Sequence, residues 1–317
     1  MTRGVSESNR QYNYVVLAES AYFNEEKKNA IKFYKKALDF KGNMEDTIAI
    51  LYNIAQIYEE IDEETKSLST YEEIINIAPR EAGAYYGMAI VFEKIGDKNK
   101  ALDYYHRAIE IDPYYDRAYY YAANLLDEIG QKEKAILYYK KVIELVPDDY
   151  VAYNNIGSIY EELGEYHEAY EMINKSLSLD PEYYKALFNM GVVYKNLGDN
   201  KKALEYYFKA IDINPEYSYS YLNVSAIYIE EKRFEDTIQL LTEGIKNNPE
   251  AHDLYYNRAC CYSILNKKKE AIKDIRKAII LLPNIIESIK RDKDFINLLD
   301  DEEFIKLIGG KMNLNKL

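Results

Sequence analysis

With 317 residues, 48% of them hydrophobic and 30% charged, the chain has ample apolar content for a core; its formal charge of −13 argues against a nucleic-acid backbone or an anionic membrane surface as the main partner. Thirty-five tyrosines stand beside no tryptophan, so tyrosine does the large-aromatic packing and a tyrosine-rich stretch is no ligand signal by itself. Two adjacent cysteines, Cys260 and Cys261, exclude a disulfide framework and fit a reducing compartment.

The chain opens on a polar stretch, Met1 to Asn9, without the apolar core of a signal peptide, and residues 1–10 are expected to be disordered or frayed. No apolar run approaches the ~20 residues that span a bilayer, so no membrane insertion is expected and the chain reads as cytoplasmic. Seven prolines then follow at one fixed spacing: Pro79, Pro113, Pro147, Pro181, Pro215, Pro249 and Pro283. Self-similarity of this kind marks stacked repeats. Phased on the prolines, the units are 11–44, 48–81, 82–115, 116–149, 150–183, 184–217, 218–251 and 252–285, with Glu45 to Thr47 inserted after the first.

Within unit 184–217, Leu187, Met190, Gly191 and Tyr194 form one apolar helical stripe. Gly198 can take the left-handed turn that ends this helix, and Ala203, Tyr207, Ala210 and Ile211 form the stripe of a second. Asn214-Pro215 stops that second helix, because the residue before proline is pushed out of helical geometry. Small residues recur where helices must approach closely: Ala55, Ala89, Ala123, Gly157, Gly191, Ser225 and Ala259 at the eighth place, Ala101, Ala135, Ala169, Ala203 and Ala271 among those at the twentieth. Period, turn glycine, small residues and terminal proline together resemble the tetratricopeptide repeat over about nine-tenths of the chain. The resemblance implies an all-α fold, a right-handed α-solenoid or superhelix of eight helix-turn-helix units. The chain departs from the family pattern in having Tyr85, Tyr119, Tyr153, Leu187, Tyr221 and Tyr255 where Trp is frequent. Lys232 replaces the turn glycine in the seventh unit.

Beyond Ile285 the period stops. Phe295, Leu298 and Leu299, repeated in spacing by Phe304, Leu307 and Ile308, predict two short capping helices over 286–308, with Asp300 or Asp301 capping the second. Residues 309–317 are expected to be a tail.

Nothing in the sequence reads as an enzyme. His106, His167 and His252 have no ligand partner at metal spacing on their own helices and read as surface residues. Cys260 and Cys261 read as buried structural thiols. No catalytic residue, metal or cofactor is assigned.

The resemblance implies instead a groove lined by first helices. Its sixth-place row is Asn53, Gly87, Tyr121, Asn155, Asn189, Asn223 and Asn257, with Asn124 a turn beyond Tyr121. A carboxamide both donates and accepts, so the asparagines could hold the backbone of an extended peptide, or serve helix-to-helix hydrogen bonds. The fifth-place row of Tyr52, Tyr86, Tyr120, Asn154, Phe188, Leu222 and Tyr256 is either core or an aromatic anchor set. It lacks the lysine that chaperone-tail-binding members use, which excludes a chaperone carboxylate clamp.

First helices also end on acids, at Glu59, Glu60, Glu93, Asp127, Glu128, Glu161 and Glu162. Acids at a helix C-terminus are unfavourable by about 0.3–1 kcal/mol each when exposed. They read as a groove rim for a basic partner segment, or as a solubilising surface. The expected function is a protein-protein interaction scaffold binding a protein segment or peptide. A peptide-responsive regulatory sensor and a non-catalytic accessory subunit of an enzyme complex are the alternatives.

Overall fold

The computed structural model describes residues 7–40 and 42–309, and among these residues there is no strand. Helices pair off along the chain as hairpins: α1 (Glu7–Phe23) with α2 (Lys27–Leu38), α3 (Met44–Glu60) with α4 (Glu64–Ile77), α5 (Ala82–Ile95) with α6 (Lys98–Ile111), and α7 (Asp116–Glu128) with α8 (Lys132–Leu145). The series continues with α9 (Tyr150–Glu162) and α10 (Tyr166–Leu179), α11 (Tyr184–Asn196) and α12 (Asn200–Ile213), α13 (Ser218–Glu230) and α14 (Phe234–Asn247), and α15 (His252–Ile264) and α16 (Lys268–Leu281). The chain divides into two compact units, residues 1–152 and 153–317. In the first, α2 packs on α3, α4 on α5 and α6 on α7; in the second, α10 packs on α11, α12 on α13 and α14 on α15.

The turn inside each hairpin is left-handed at its fifteenth place. Gly96, Gly130, Gly164 and Gly198 carry φ of 78–88°, and Glu25, Asp62, Lys232 and Asn266 carry 56–63° in the other four. The turn persists without glycine because its hydrogen bonds require it: Arg233 N–H reaches the Tyr228 carbonyl at 2.8 Å, as Asp97 N–H reaches that of Phe92 at 2.9 Å. At the eighth place, Ala55, Ala89, Ala123 and Ala259 are wholly buried, which is why only small residues stand there.

Two boundaries differ from the proline phasing. Helix α3 starts at Met44, so Glu45 to Thr47 form its first turn, and the Asn43 side chain caps it by accepting from Asp46 N–H at 2.7 Å. Helix α1 starts at Glu7, inside the stretch expected to fray; residues 1–6 lie outside the described residues, as does the expected tail from residue 310.

The segment after α16 is less regular than two helices. A 3₁₀ turn (Pro283–Ile285) leads into α17 (Ile286–Ile289), a second 3₁₀ turn (Lys293–Leu298) and α18 (Glu302–Leu307). Asp301, not Asp300, caps α18 through Glu303 and Phe304 N–H. Phe295, Leu298 and Phe304 are fully buried against Cys260, Ala271, Ile272 and Ile275 of the last hairpin. The Arg258 guanidinium grips the buried Asp274 with two hydrogen bonds of 2.7 and 2.8 Å, tying α15 to α16.

Emptying the seal over the last hairpin by Phe295→Ala should cost about 3–5 kcal/mol, as large-to-small core substitutions do. The double variant with Phe304→Ala should melt earlier and self-associate in light scattering. An unchanged melting temperature with a monodisperse chain would show that these turns do not seal the hairpin.

Candidate functional site

The first-helix face of the first unit breaks the asparagine row at Gly87, and a cavity opens there. Tyr71 of α4 lies against α5 because Gly87 has no Cβ; one placed there would come within 2.3 Å of the Tyr71 ring. From that position the Tyr71 hydroxyl donates to Glu59 at 2.7 Å. Tyr52 of α3 donates to Glu81, in the loop before α5, at 3.0 Å. Tyr86 meets Tyr115 and Tyr121 edge-on, with ring centroids 5.2 and 5.9 Å away. Together these rings line a cavity of about 750 Å³. Gln56, Arg80 and Arg117 are its exposed lining residues, and Glu59, Glu81 and Asp112 are half-buried in its wall.

Charge in the cavity is left open. Among the described residues, neither Glu59 nor Glu81 has a lysine, arginine or histidine within ion-pair distance, and neither Arg80 nor Arg117 has a carboxylate. Burial raises the Glu59 carboxyl above its ordinary range, against the lowering effect of the Tyr71 and Ser67 hydroxyls and of Lys94. Burial likewise pushes the Tyr52, Tyr71 and Tyr86 phenols well up, so they remain protonated donors. Of the residues singled out in the sequence, Tyr52, Tyr86, Gly87, Tyr121 and Glu59 line this cavity. The signal that these residues belong together was the interruption of the asparagine row at Gly87 and Tyr121.

The asparagines themselves bond largely to the protein. Asn189 donates to the buried Asn154 at 3.0 Å, and Asn154 in turn to Asn155 at 3.4 Å. Asn223 donates to the Tyr219 carbonyl of its own helix and accepts from the Tyr207 hydroxyl. Asn124 accepts from the Tyr139 hydroxyl. Asn257 is half-buried, and Asn53, also half-buried, lines a smaller cavity of about 260 Å³ beside Gln11 and Tyr12.

The acids that end the first helices also have partners. Tyr105 donates to Glu93 at 2.8 Å, Lys132 pairs with Asp127 at 2.8 Å and Lys98 with Glu128 at 2.7 Å. Glu60 accepts from Tyr22 and pairs with Lys27, and Glu161 accepts from Asn196 at 2.8 Å. Glu162 is exposed. The compensation that the sequence did not display is thus supplied by second helices and by neighbouring hairpins.

His106 is half-buried against Tyr138 rather than a free surface residue, and burial lowers its pKa; His167 is exposed. Cys260 and Cys261 are buried, and burial pushes the Cys261 thiol up to about 12 and that of Cys260 still higher. The second 3₁₀ turn brings Asp292 and Asp294 to Cys260, with ligand atoms within 4.8 Å of one another. There Asp292 already accepts from the Tyr256 hydroxyl, the Cys260 thiol and Asp294 N–H, which makes the group a latch between cap and hairpin. No described helix is long and apolar enough to cross a membrane.

Family models described as tetratricopeptide repeat match residues 48–81, 82–115, 116–149, 150–183, 184–217 and 252–285. No curated protein matches the chain. Among solved structures, the crystal structure of the APC/C hetero-tetramer Cut9–Hcn1 is similar over 94% of this chain and 57% of that one, at 18% identity and a TM-score of 0.58. MamA 41-end from Desulfovibrio magneticus RS-1 is similar over 54% of this chain and 97% of its own, at 23% identity and a TM-score of 0.50. At these identities the likeness is one of fold.

Two measurements follow from these contacts. The folded chain binds the Glu59 proton more tightly than the unfolded chain does, so ionised Glu59 costs stability above its raised pKa. That cost disappears as pH falls through the raised value towards the ordinary 4.5. Glu59→Gln should therefore raise the denaturation midpoint at neutral pH, with a gain that shrinks on acidification; a gain independent of pH would contradict the assignment. Asn189→Ala should cost about 1–3 kcal/mol in denaturant titration, because it strips the donor from the buried Asn154 oxygen. Unaltered stability would leave the asparagine row free for a ligand.

Proposed function

This chain belongs to the tetratricopeptide-repeat family, and from that premise we propose that it is a protein-interaction scaffold that takes a segment of another protein into the tyrosine-lined cavity of its first unit. The observation that carries this reading is the cavity itself. Its volume of about 750 Å³ lies in the range of ligand sites, roughly 300–1,000 Å³. It sits on first helices α3, α5 and α7, and its wall combines half-buried tyrosine rings with charges that have no ion-pair partner among the described residues. Rigid aromatic rings of this kind anchor partners at small entropic cost.

The lining also favours binding over chemistry. It holds no histidine, cysteine, serine or lysine, and its phenols are held protonated by burial, so a nucleophile paired with a base is not assembled there. A supporting role for the second unit's asparagines is secondary, since their bonds already join neighbouring helices.

Tyr86→Ala combined with Tyr121→Ala should reduce capture of the native partner by about tenfold or more, the loss expected for an interface anchor. The helical signal in circular dichroism should be retained. Asn223→Ala, in the second unit, should leave capture unaffected. Equal capture by the tyrosine variant and the unmodified chain would remove the cavity from the binding surface.

A further inference from the structure

We infer that the cavity selects one basic side chain, lysine or arginine, from an extended segment whose neighbouring residues are neutral or acidic. This rests on the reading of the cavity as the segment-binding site and specifies what it recognises.

The half-buried charged groups of the cavity wall are all carboxylates, whereas its arginines are exposed. The hydroxyl protons of Tyr52 and Tyr71 are already given to Glu81 and Glu59. The lining sets the Glu59, Glu81 and Asp112 carboxylates beside the rings of Tyr52, Tyr86, Tyr115 and Tyr121. Carboxylates attract an ammonium or guanidinium directly, and tyrosine faces attract it through the ring quadrupole. Neither Glu59 nor Glu81 has an ion-pair partner among the described residues, so an entering cation would not displace an existing pair. Lys94, whose charge lowers the Glu59 pKa, is committed to Asp62, Glu64 and the Glu59 backbone carbonyl.

Other occupants fit less well. An apolar side chain would take more water from Glu59 and Glu81 without compensating them. An acidic side chain would add a like charge beside both. Arg80 and Arg117 set the second half of the specificity. They lie exposed on the same cavity, so a run of basic residues would meet repulsion outside the aromatic wall, whereas a carboxylate or a backbone carbonyl next to the anchored residue would meet a donor. The pattern therefore calls for a single cation between neutral or acidic neighbours. A polybasic stretch, which the net charge of −13 alone would suggest, is disfavoured here.

The test is a random-peptide display library panned on the intact chain, then counter-selected on the Tyr86→Ala/Tyr121→Ala chain so that only cavity-dependent peptides remain. Those peptides should share one lysine or arginine with neutral or acidic flanks. Replacing that residue by norleucine, or using a Glu59→Gln/Glu81→Gln chain of unchanged helicity, should each weaken binding in fluorescence anisotropy by about tenfold or more, as for a partly desolvated charge pair. Cavity-dependent peptides that lack a basic residue, or that bind the Glu59→Gln/Glu81→Gln chain equally well, would overturn the cation assignment and leave the cavity as a segment-binding site. A library that yields no cavity-dependent peptide would overturn both.

Discussion

A tyrosine in the second helix of several hairpins is buried as a ring yet must satisfy its hydroxyl, and the acceptor comes from a first helix. Tyr71 uses Glu59, Tyr105 uses Glu93, Tyr139 uses Asn124 and Tyr207 uses Asn223. A buried phenol without an acceptor would cost the desolvation of its hydroxyl, so the ring's place dictates a polar residue on the facing helix. This one demand accounts for several features that look unrelated in sequence. It holds acids at C-terminal helix ends where the backbone dipole disfavours them, and it keeps asparagines of the first-helix rows inside the protein's own bonding. In the unit that has Ile173 in place of this tyrosine, Glu161 takes its hydrogen bond from Asn196 of the following hairpin instead.

The cavity is a local consequence of the same demand. Where the sixth place carries glycine, the Tyr71 ring takes the space that a side chain would have filled, lies across α5 and still reaches Glu59. The arrangement leaves Glu59 half-buried, bonded to hydroxyls and short of a cation, which is a costly position for a carboxylate. Glu93, in the corresponding place of the next hairpin, also serves a tyrosine, but it does not line the cavity. Acids that look equivalent along the repeat therefore differ in what their surroundings leave for a partner. A destabilised group retained on a cavity wall is more readily understood as serving binding than as serving the fold.

Hairpins were legible because their determinants are local. Proline stops a helix wherever it stands, and the left-handed turn is so well specified by its own hydrogen bonds that Lys232 and Asp62 adopt it without glycine. Helix starts were less legible: Asn43 caps α3 ahead of the proline phase, and nothing periodic announces a cap. The closing segment follows the predicted apolar spacing, but caps at Asp292 and Asp301 cut it into short turns. The cavity was legible only in part: the rows named Tyr52, Tyr86, Tyr121 and Glu59, but nothing in them joined these to Arg80, Glu81 or Arg117. Its wall joins residues from three hairpins and two loops, and a row-by-row reading weighs each place along the repeat and not the neighbours across it. The spacing of twelve residues between Glu59 and Tyr71, and again between Glu93 and Tyr105, was the one sequence signal that could have paired the acids with their donors.

Net charge and local charge act at different stages of an encounter. The exposed excess of acid, −13 over the chain, attracts any basic molecule over roughly a Debye length of about 8–10 Å and is weakened by salt. That field raises encounter rates without distinguishing one basic segment from another. Glu59 and Glu81 are half-buried beside tyrosine rings, where solvent and salt screen less, and the exposed Arg80 and Arg117 line the same cavity. On the proposed reading, selectivity would reside in how long a segment stays in the cavity, while the charge of the whole chain would govern how often one arrives.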